Sequence, residues 1–142
     1  MPNTQMTVLD APGAVGRPNL KGKRVLVVDD NFINLEIAVE AFKTVGANVD
    51  STSEGAEAIE LVKRNAYDLL LLDLFMPDVD GLEVGQAARA STANKDTRLL
   101  IFTASDKTDA NSAMRTLGAN GVIPKPVEID DLLKQAEALF AN

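Results

Sequence analysis

The pattern of apolar and polar positions becomes regular at Lys23. Residues 24–28, Arg-Val-Leu-Val-Val, form a short β-branched apolar run that predicts a first strand. Ile33, Ile37, Ala38, Ala41, Phe42 and Val45 then recur at helical spacing and stop at Gly46, predicting a first helix. A weaker strand over residues 47–52 leads to a second helix over 54–65, with Ala58, Ile59 and Val62 inward. Residues 67–72 are apolar on both faces, which suits a strand at the buried centre of a parallel sheet. Gly81 precedes a third helix from Leu82 to about Ala93, and residues 99–102 form another fully apolar strand. Ala110, Ala113, Met114 and Leu117 mark a fourth helix closed by Gly118, and residues 121–123 a short fifth strand. The last helix carries Ile129, Leu132, Leu133, Ala136, Leu139 and Phe140 on one stripe. Residues 1–20 hold Pro2, Pro12, Gly13, Gly16 and Pro18 without periodicity and read as a flexible leader, leaving 21–142 as one domain.

Strands alternating strictly with helices require right-handed crossovers, so the class is α/β: a doubly wound five-stranded parallel sheet with helices on both faces. Ligands of such sheets bind beyond the carboxyl ends of the strands, near the topological switch point. The predicted strand ends there are Asp29-Asp30, Asp73, Thr103-Ala104 and Lys125-Pro126. Each has a local reading: Asp30 or Asn31 caps the first helix, Thr103 bonds backbone, and Lys125 is solvated. Asp73 resists one, because a carboxylate ending a run of four leucines needs a partner or a cation.

Composition narrows the chemistry. The chain has no cysteine and no histidine, which excludes a disulfide framework, zinc–thiolate sites, thiolate and Ser-His-Asp nucleophiles, and imidazole ligands. Fourteen basic against twenty-one acidic residues leave a net charge of −7, which opposes binding to a nucleic-acid backbone. The N-terminus lacks a basic run followed by an apolar core, and the longest apolar run, residues 69–72, is far too short for a membrane span. The expectation is a cytoplasmic protein with neither nucleic-acid nor membrane partners.

At the strand ends, three carboxylates and one lysine sum to −2. Like charges at that range cost several kcal/mol unless a cation intervenes or one group protonates. A set of few ligands, all oxygen, suits Mg²⁺, which keeps its waters and shares a phosphate. Two other phosphate or metal motifs fail on spacing. Gly16 to Gly22 is one residue too long for a P-loop, and Lys23 is followed by Arg24. An EF-hand at Asp78-Val79-Asp80-Gly81 would need ligands at Met76 and Ala87, so these aspartates read as the turn before the third helix.

The stretches Val25-Leu-Val-Val-Asp-Asp-Asn31, Asp73-Leu-Phe-Met-Pro-Asp-Val-Asp-Gly81, Phe102-Thr-Ala104 and Lys125-Pro126 stand in the order and spacing of a known pattern. From about Lys23 to Phe140 the chain resembles the receiver domain of two-component response regulators. The resemblance implies a flavodoxin/CheY-like sheet of order 2-1-3-4-5 and a phosphoacceptor role for Asp73, attacking a phosphohistidine on a sensor histidine kinase or histidine phosphotransfer protein. It implies Mg²⁺ held by Asp30 and Asp73, by Asp29 through water, and by the backbone carbonyl of Phe75. Thr103, Ala104 and Lys125 would bind the phosphoryl group, and the Lys125–Pro126 peptide would be cis. Such a domain is no enzyme toward a separate substrate, although it catalyses its own phosphorylation and slow autodephosphorylation.

Output would pass to a downstream protein through the face of the fourth helix, fifth strand and fifth helix, or onward by relay. The family's aromatic residue three positions before the lysine is Val122 here, so output is expected to rely on the loop and fourth helix. The chain ends at Asn142, directly after the last predicted helix, which reads as a stand-alone regulator. Asp-Asp-Asn-x-x-Asn at 29–34 also resembles receivers of hybrid kinases, with Asn34 itself read as a first-turn helix residue. Three rivals stand beside this reading. A haloacid-dehalogenase-type phosphatase needs a second acid where Phe75 stands, and a flavodoxin-like cofactor binder needs glycines where the first strand ends in two acids. The third is a phosphorylation-independent protein-binding module.

Overall fold

A computed structural model of the chain describes residues 18–104 and 107–141. The elements run β1 (Arg24–Val28), α1 (Phe32–Thr44), β2 (Asn48–Thr52), α2 (Gly55–Arg64), β3 (Leu69–Asp73), α3 (Gly81–Ala90), β4 (Arg98–Thr103), α4 (Lys107–Leu117), β5 (Gly121–Pro124) and α5 (Ile129–Ala138). All strand pairs are parallel and the sheet order is β2-β1-β3-β4-β5, as the alternation and the resemblance imply.

Strand alternation divides the core between the two faces of the sheet. Val25, Val27, Leu69, Leu71, Leu100 and Phe102 point to the side covered by α1 and α5. Leu26, Val28, Leu70, Leu72, Leu99 and Ile101 point to the side covered by α2, α3 and α4. The four leucines of β3 are fully buried, each contributing about 1.5–3 kcal/mol of transfer free energy. That burial fixes the register of the central strand and the position of Asp73 at its end. No helix among the described residues is long and apolar enough to cross a membrane.

Several boundaries and facings differ from the sequence reading. Residues 1–17 of the expected leader lie outside the described residues, but Pro18–Leu20 forms a 3₁₀ turn whose Leu20 is fully buried in the core beside α1 and α5. The packed domain therefore includes the last three residues assigned to the leader. Along α1 the buried residues are Leu35, Ala38, Val39, Ala41 and Phe42, while Ile33 is 69% exposed. The apolar residues of this helix exceed one face, and the sheet selects the stripe beneath it. Ile129 is likewise exposed, because it opens the first turn of α5 before the helix reaches the sheet.

β3 starts at Leu69 rather than residue 67, since the Tyr67 amide donates to Asn94 Oδ1 (2.8 Å) instead of a strand. α3 ends at Ala90, short of Ala93, because Ser91 leaves the helical conformation and its hydroxyl donates to the Val62 carbonyl. Ala47 belongs to the end of the α1 turn, its amide donating to the Phe42 carbonyl, so β2 begins one residue later.

Candidate functional site

The carboxyl ends of β1, β3, β4 and β5 meet at one edge of the molecule. Because β1 and β3 are adjacent, with Val28 paired to Leu72, the residues following them come together. Carboxylate oxygens of Asp29, Asp30 and Asp73 lie within 4.8 Å of one another. Asp29 is completely buried and Asp73 nearly so, whereas Asp30 is exposed.

Backbone and side chain hold each of these groups. The Asp29 amide donates to the Thr52 carbonyl of β2, and Asp29 Oδ1 accepts from the Asn31 amide at 2.8 Å. Asn31 Oδ1 in turn caps α1 by accepting from the Asn34 amide at 3.0 Å. Asp73 Oδ1 accepts from the Phe75 amide at 3.3 Å. The loop after β3 returns tightly: the Gly81 amide donates to the Leu74 carbonyl, and a Cβ at position 81 would fall 1.9 Å from the Asp73 carbonyl oxygen. Only glycine lets α3 begin this close to the end of β3. Asp80 caps α3 in a capping box with Glu83, the turn role the sequence suggests for it.

Lys125 enters from β5, across β4. Its amide donates to the Thr103 carbonyl, and the Lys125–Pro126 peptide is cis, as the resemblance implies. The ammonium lies 2.9 Å from Asp29 Oδ2 and 3.2 Å from Asp73 Oδ2, and 4.9 Å from the centroid of the Phe102 ring. Thr103 is buried at the end of β4, with Ala104 exposed beside it.

One cation does not balance the three acids. Burial, and then the nearby Asp29 charge, push the Asp73 carboxyl up to about 7, with Lys125 offsetting part of the rise. Asp29 Oδ2 is buried and accepts no well-aligned hydrogen bond, although the Lys125 ammonium is its close neighbour. An under-neutralised, all-oxygen cluster with a buried acceptor atom to spare has the donor chemistry of a site for a hard divalent cation.

The cluster opens into a cavity of about 630 Å³ lined by Asp30, Asp73, Phe75, Thr103, Ala104 and Lys125, with Asp29 behind them. Every residue singled out at the strand ends is therefore gathered at one place. Asn31 and Asn34 also line this cavity. The sequence reading leaves both as helix-start residues, and the only signal for them is their spacing after Asp29-Asp30. Phe75 is 56% exposed at the rim.

Residues 25–137 match the family model described as the response regulator receiver domain. The chain belongs to that family. A receiver domain is a phosphoacceptor signalling domain of two-component systems, and such domains interact with histidine kinases or phosphotransfer proteins. The response regulator MprA of Mycobacterium leprae (strain TN) is 35% identical over 117 residues, covering 82% of this chain and 50% of that protein. Hybrid signal transduction histidine kinase B of Dictyostelium discoideum is 32% identical over 126 residues, covering 81% of this chain and 6% of that protein. The chain thus spans half or less of the length of these curated relatives. Among solved structures, the Vibrio cholerae chemotaxis protein CheY4 superimposes with a TM-score of 0.77 at 26% identity, over 82% of this chain and 98% of that one. The receiver domain of the sensor histidine kinase PA1611 from Pseudomonas aeruginosa PAO1 shares the fold, with a TM-score of 0.74 at 23% identity over 84% of this chain and 97% of that one. That structure has a magnesium ion coordinated in its active site cleft.

Proposed function

We propose that Asp73 is the phosphoacceptor of this receiver domain, taking a phosphoryl group from a phosphohistidine on a histidine kinase or histidine phosphotransfer protein. The observation that carries the reading is the pairing of Asp73 with Lys125 inside a cluster of three carboxylates that opens into a cavity. A carboxylate oxygen of Asp73 supplies the electron pair of the new O–P bond. The P–N bond of the donor breaks, and its pair returns to the imidazole nitrogen. Burial and neighbouring charge raise the proton affinity of Asp73, so it is a stronger base than a surface aspartate once ionised.

Asp29, Asp30, Asp73 and the backbone carbonyl of Phe75 would hold Mg²⁺, which supplies neutralisation of the acids and of the phosphoryl oxygens. Lys125 leaves its contact with Asp73 to pair with a phosphoryl oxygen, and the Thr103 hydroxyl donates to another, with Ala104 beside it. Hydrogen bonds of about 1–3 kcal/mol each are enough to bias a two-state surface. Slow return to the resting state follows when water attacks phosphorus and releases inorganic phosphate, restoring the carboxylate. The domain is catalytic only toward its own acceptor.

The donor docks at the cavity mouth, which Phe75 lines; the other exposed large apolar side chains among the described residues follow strands that end at the cluster, Phe32 and Ile33 after β1 and Ile129 after β5. Output runs from Thr103 and Lys125 to the face formed by α4, β5 and α5, where a downstream protein binds. Val122 on β5 is half-buried against the α3–α4 side of the core, so movement of the loop and α4 carries the change. A cytoplasmic location belongs to the same proposal.

Intact mass after incubation with acetyl phosphate and Mg²⁺ tests the reading. A single phosphoryl adduct is expected on the wild type and none on Asp73→Asn or in EDTA. Absence of the adduct from the wild type, with kinases tried as donors too, would favour a phosphorylation-independent binding module.

A further inference from the structure

The cavity over Asp73 presents one polar side chain that the reading above leaves without a task. Asn34 sits in the first turn of α1, half-buried, with its backbone amide fixed to Asn31 Oδ1 at 3.0 Å. Asn34 lines the cavity, and among the described residues its carboxamide makes no hydrogen bond. The other polar side chains of the lining already have a role, Asp30 among the acids of the cluster. Asn31 Oδ1 caps the helix, Lys125 pairs with Asp29 and Asp73, and Thr103 has an interaction of its own. The two residues before Asn34, Phe32 and Ile33, are exposed and apolar and offer that wall no other side-chain donor.

We propose that Asn34 is a substrate-contacting residue whose Nδ2 donates a hydrogen bond to an oxygen of the incoming phosphoryl group. The inference rests on the phosphoacceptor reading of Asp73 and deepens it. Charge selects the residue type. The acids and Lys125 sum to −2, so an additional contact to an anionic phosphoryl group has to come without negative charge. A carboxamide donates at no charge cost, and a helix anchored by its own cap holds it in place. A side chain with no partner of its own can meet a ligand without first breaking an internal bond.

The test measures the rate of adduct formation by intact mass for wild type, Asn34→Ala, Asn34→Gln and Asn34→Asp over a Mg²⁺ titration from sub-saturating to saturating, with phosphoramidate and with acetyl phosphate. Removing one hydrogen bond to a charged group slows Asn34→Ala about tenfold, by the same factor with both donors because they share the transferring group. Asn34→Gln recovers part of the rate, and Asn34→Asp is slower than Asn34→Ala because it adds a fourth carboxylate. The thermal midpoint of Asn34→Ala stays at the wild-type value, as the side chain has no internal partner to lose. A wild-type rate for Asn34→Ala would overturn the proposal. So would a deficit that vanishes on raising Mg²⁺, which would assign the residue to metal hydration, or a deficit with one donor only, which would assign it to the leaving group. If the wild type itself forms no adduct, the acceptor reading falls and this one with it. An adduct on wild type with no effect at Asn34 overturns this inference alone.

Discussion

The ammonium of Lys125 lies closer to Asp29 Oδ2, at 2.9 Å, than to Asp73 Oδ2, at 3.2 Å. Asp29 is fully buried, and Lys125 is the cation its Oδ2 depends on. The lysine is thus a structural counter-ion as well as a group that can follow a phosphoryl oxygen. Lys125→Ala leaves two buried carboxylates without their cation and is expected to destabilise the fold by about 3 kcal/mol in urea titrations at pH 7.5, the scale of a broken buried pair. At pH 5 the loss should be smaller, since Asp73 can then take up a proton. A variant equally destabilised at both values would mean that packing, not charge, accounts for the loss.

The Asp73 carboxyl, raised to about 7 from an ordinary value of 3.8, binds its proton more tightly in the folded than in the unfolded chain. Its contribution to stability is therefore full below about pH 3.8 and is lost as pH rises toward 7. Above that value the folded state carries the whole charge penalty. Asp73→Asn should raise the metal-free stability at pH 7.5 by roughly 1–3 kcal/mol, each tenfold displacement of the proton equilibrium being worth about 1.4 kcal/mol. At pH 4 the two proteins should differ little. Chemical denaturation across pH measures both.

Mg²⁺ and the proton compete for the same oxygens. Addition of Mg²⁺ should raise the thermal midpoint of the wild type more at pH 7.5 than at pH 5, and chelation should reverse the rise. Asp73→Asn should lose most of the effect. A midpoint insensitive to Mg²⁺ at both pH values would count against metal binding by the cluster.

Gly81 stands where a Cβ would meet the Asp73 carbonyl oxygen at 1.9 Å, an overlap with backbone that no rotamer relieves. Gly81→Ala is expected to cost about 3 kcal/mol, the upper range of overpacking, and to slow adduct formation by shifting the end of β3. Equilibrium unfolding and intact mass, run on the same preparation, separate the two effects.

Phe75 is 56% exposed two residues beyond Asp73 and forms part of the cavity wall. If Asp73 carries an acyl phosphate, a ring in that position would limit the approach of water to it. The phosphoryl group on Phe75→Asn should decay several-fold faster than on wild type after the donor is removed. Equal half-lives would show that the ring shields nothing.

Local signals made much of this molecule legible. Short apolar runs and a period of 3.6 identify the element order, and acids, hydroxyl and lysine at predicted strand ends point to the site before any contact is known. Both are properties of neighbouring residues, which is why they survive in a one-dimensional reading. The Phe75 carbonyl and the cis peptide entered through family resemblance, not through such patterns.

What covers a given face is a different kind of fact. Leu20 belongs to the core because α5 packs over it, and Ile33 does not because the sheet meets α1 through Leu35, Ala38, Val39 and Phe42. Asn34 becomes a cavity residue only once β1, which leads into α1, pairs with β3, and the proton affinity of Asp73 rises because the fold buries it and the sheet order sets Asp29 beside it. Sequence alone determined which chemical groups end the strands. Tertiary structure decided how near they stand and how much water they lose, because electrostatic energy depends on separation and burial, and both are set by residues far apart in the chain.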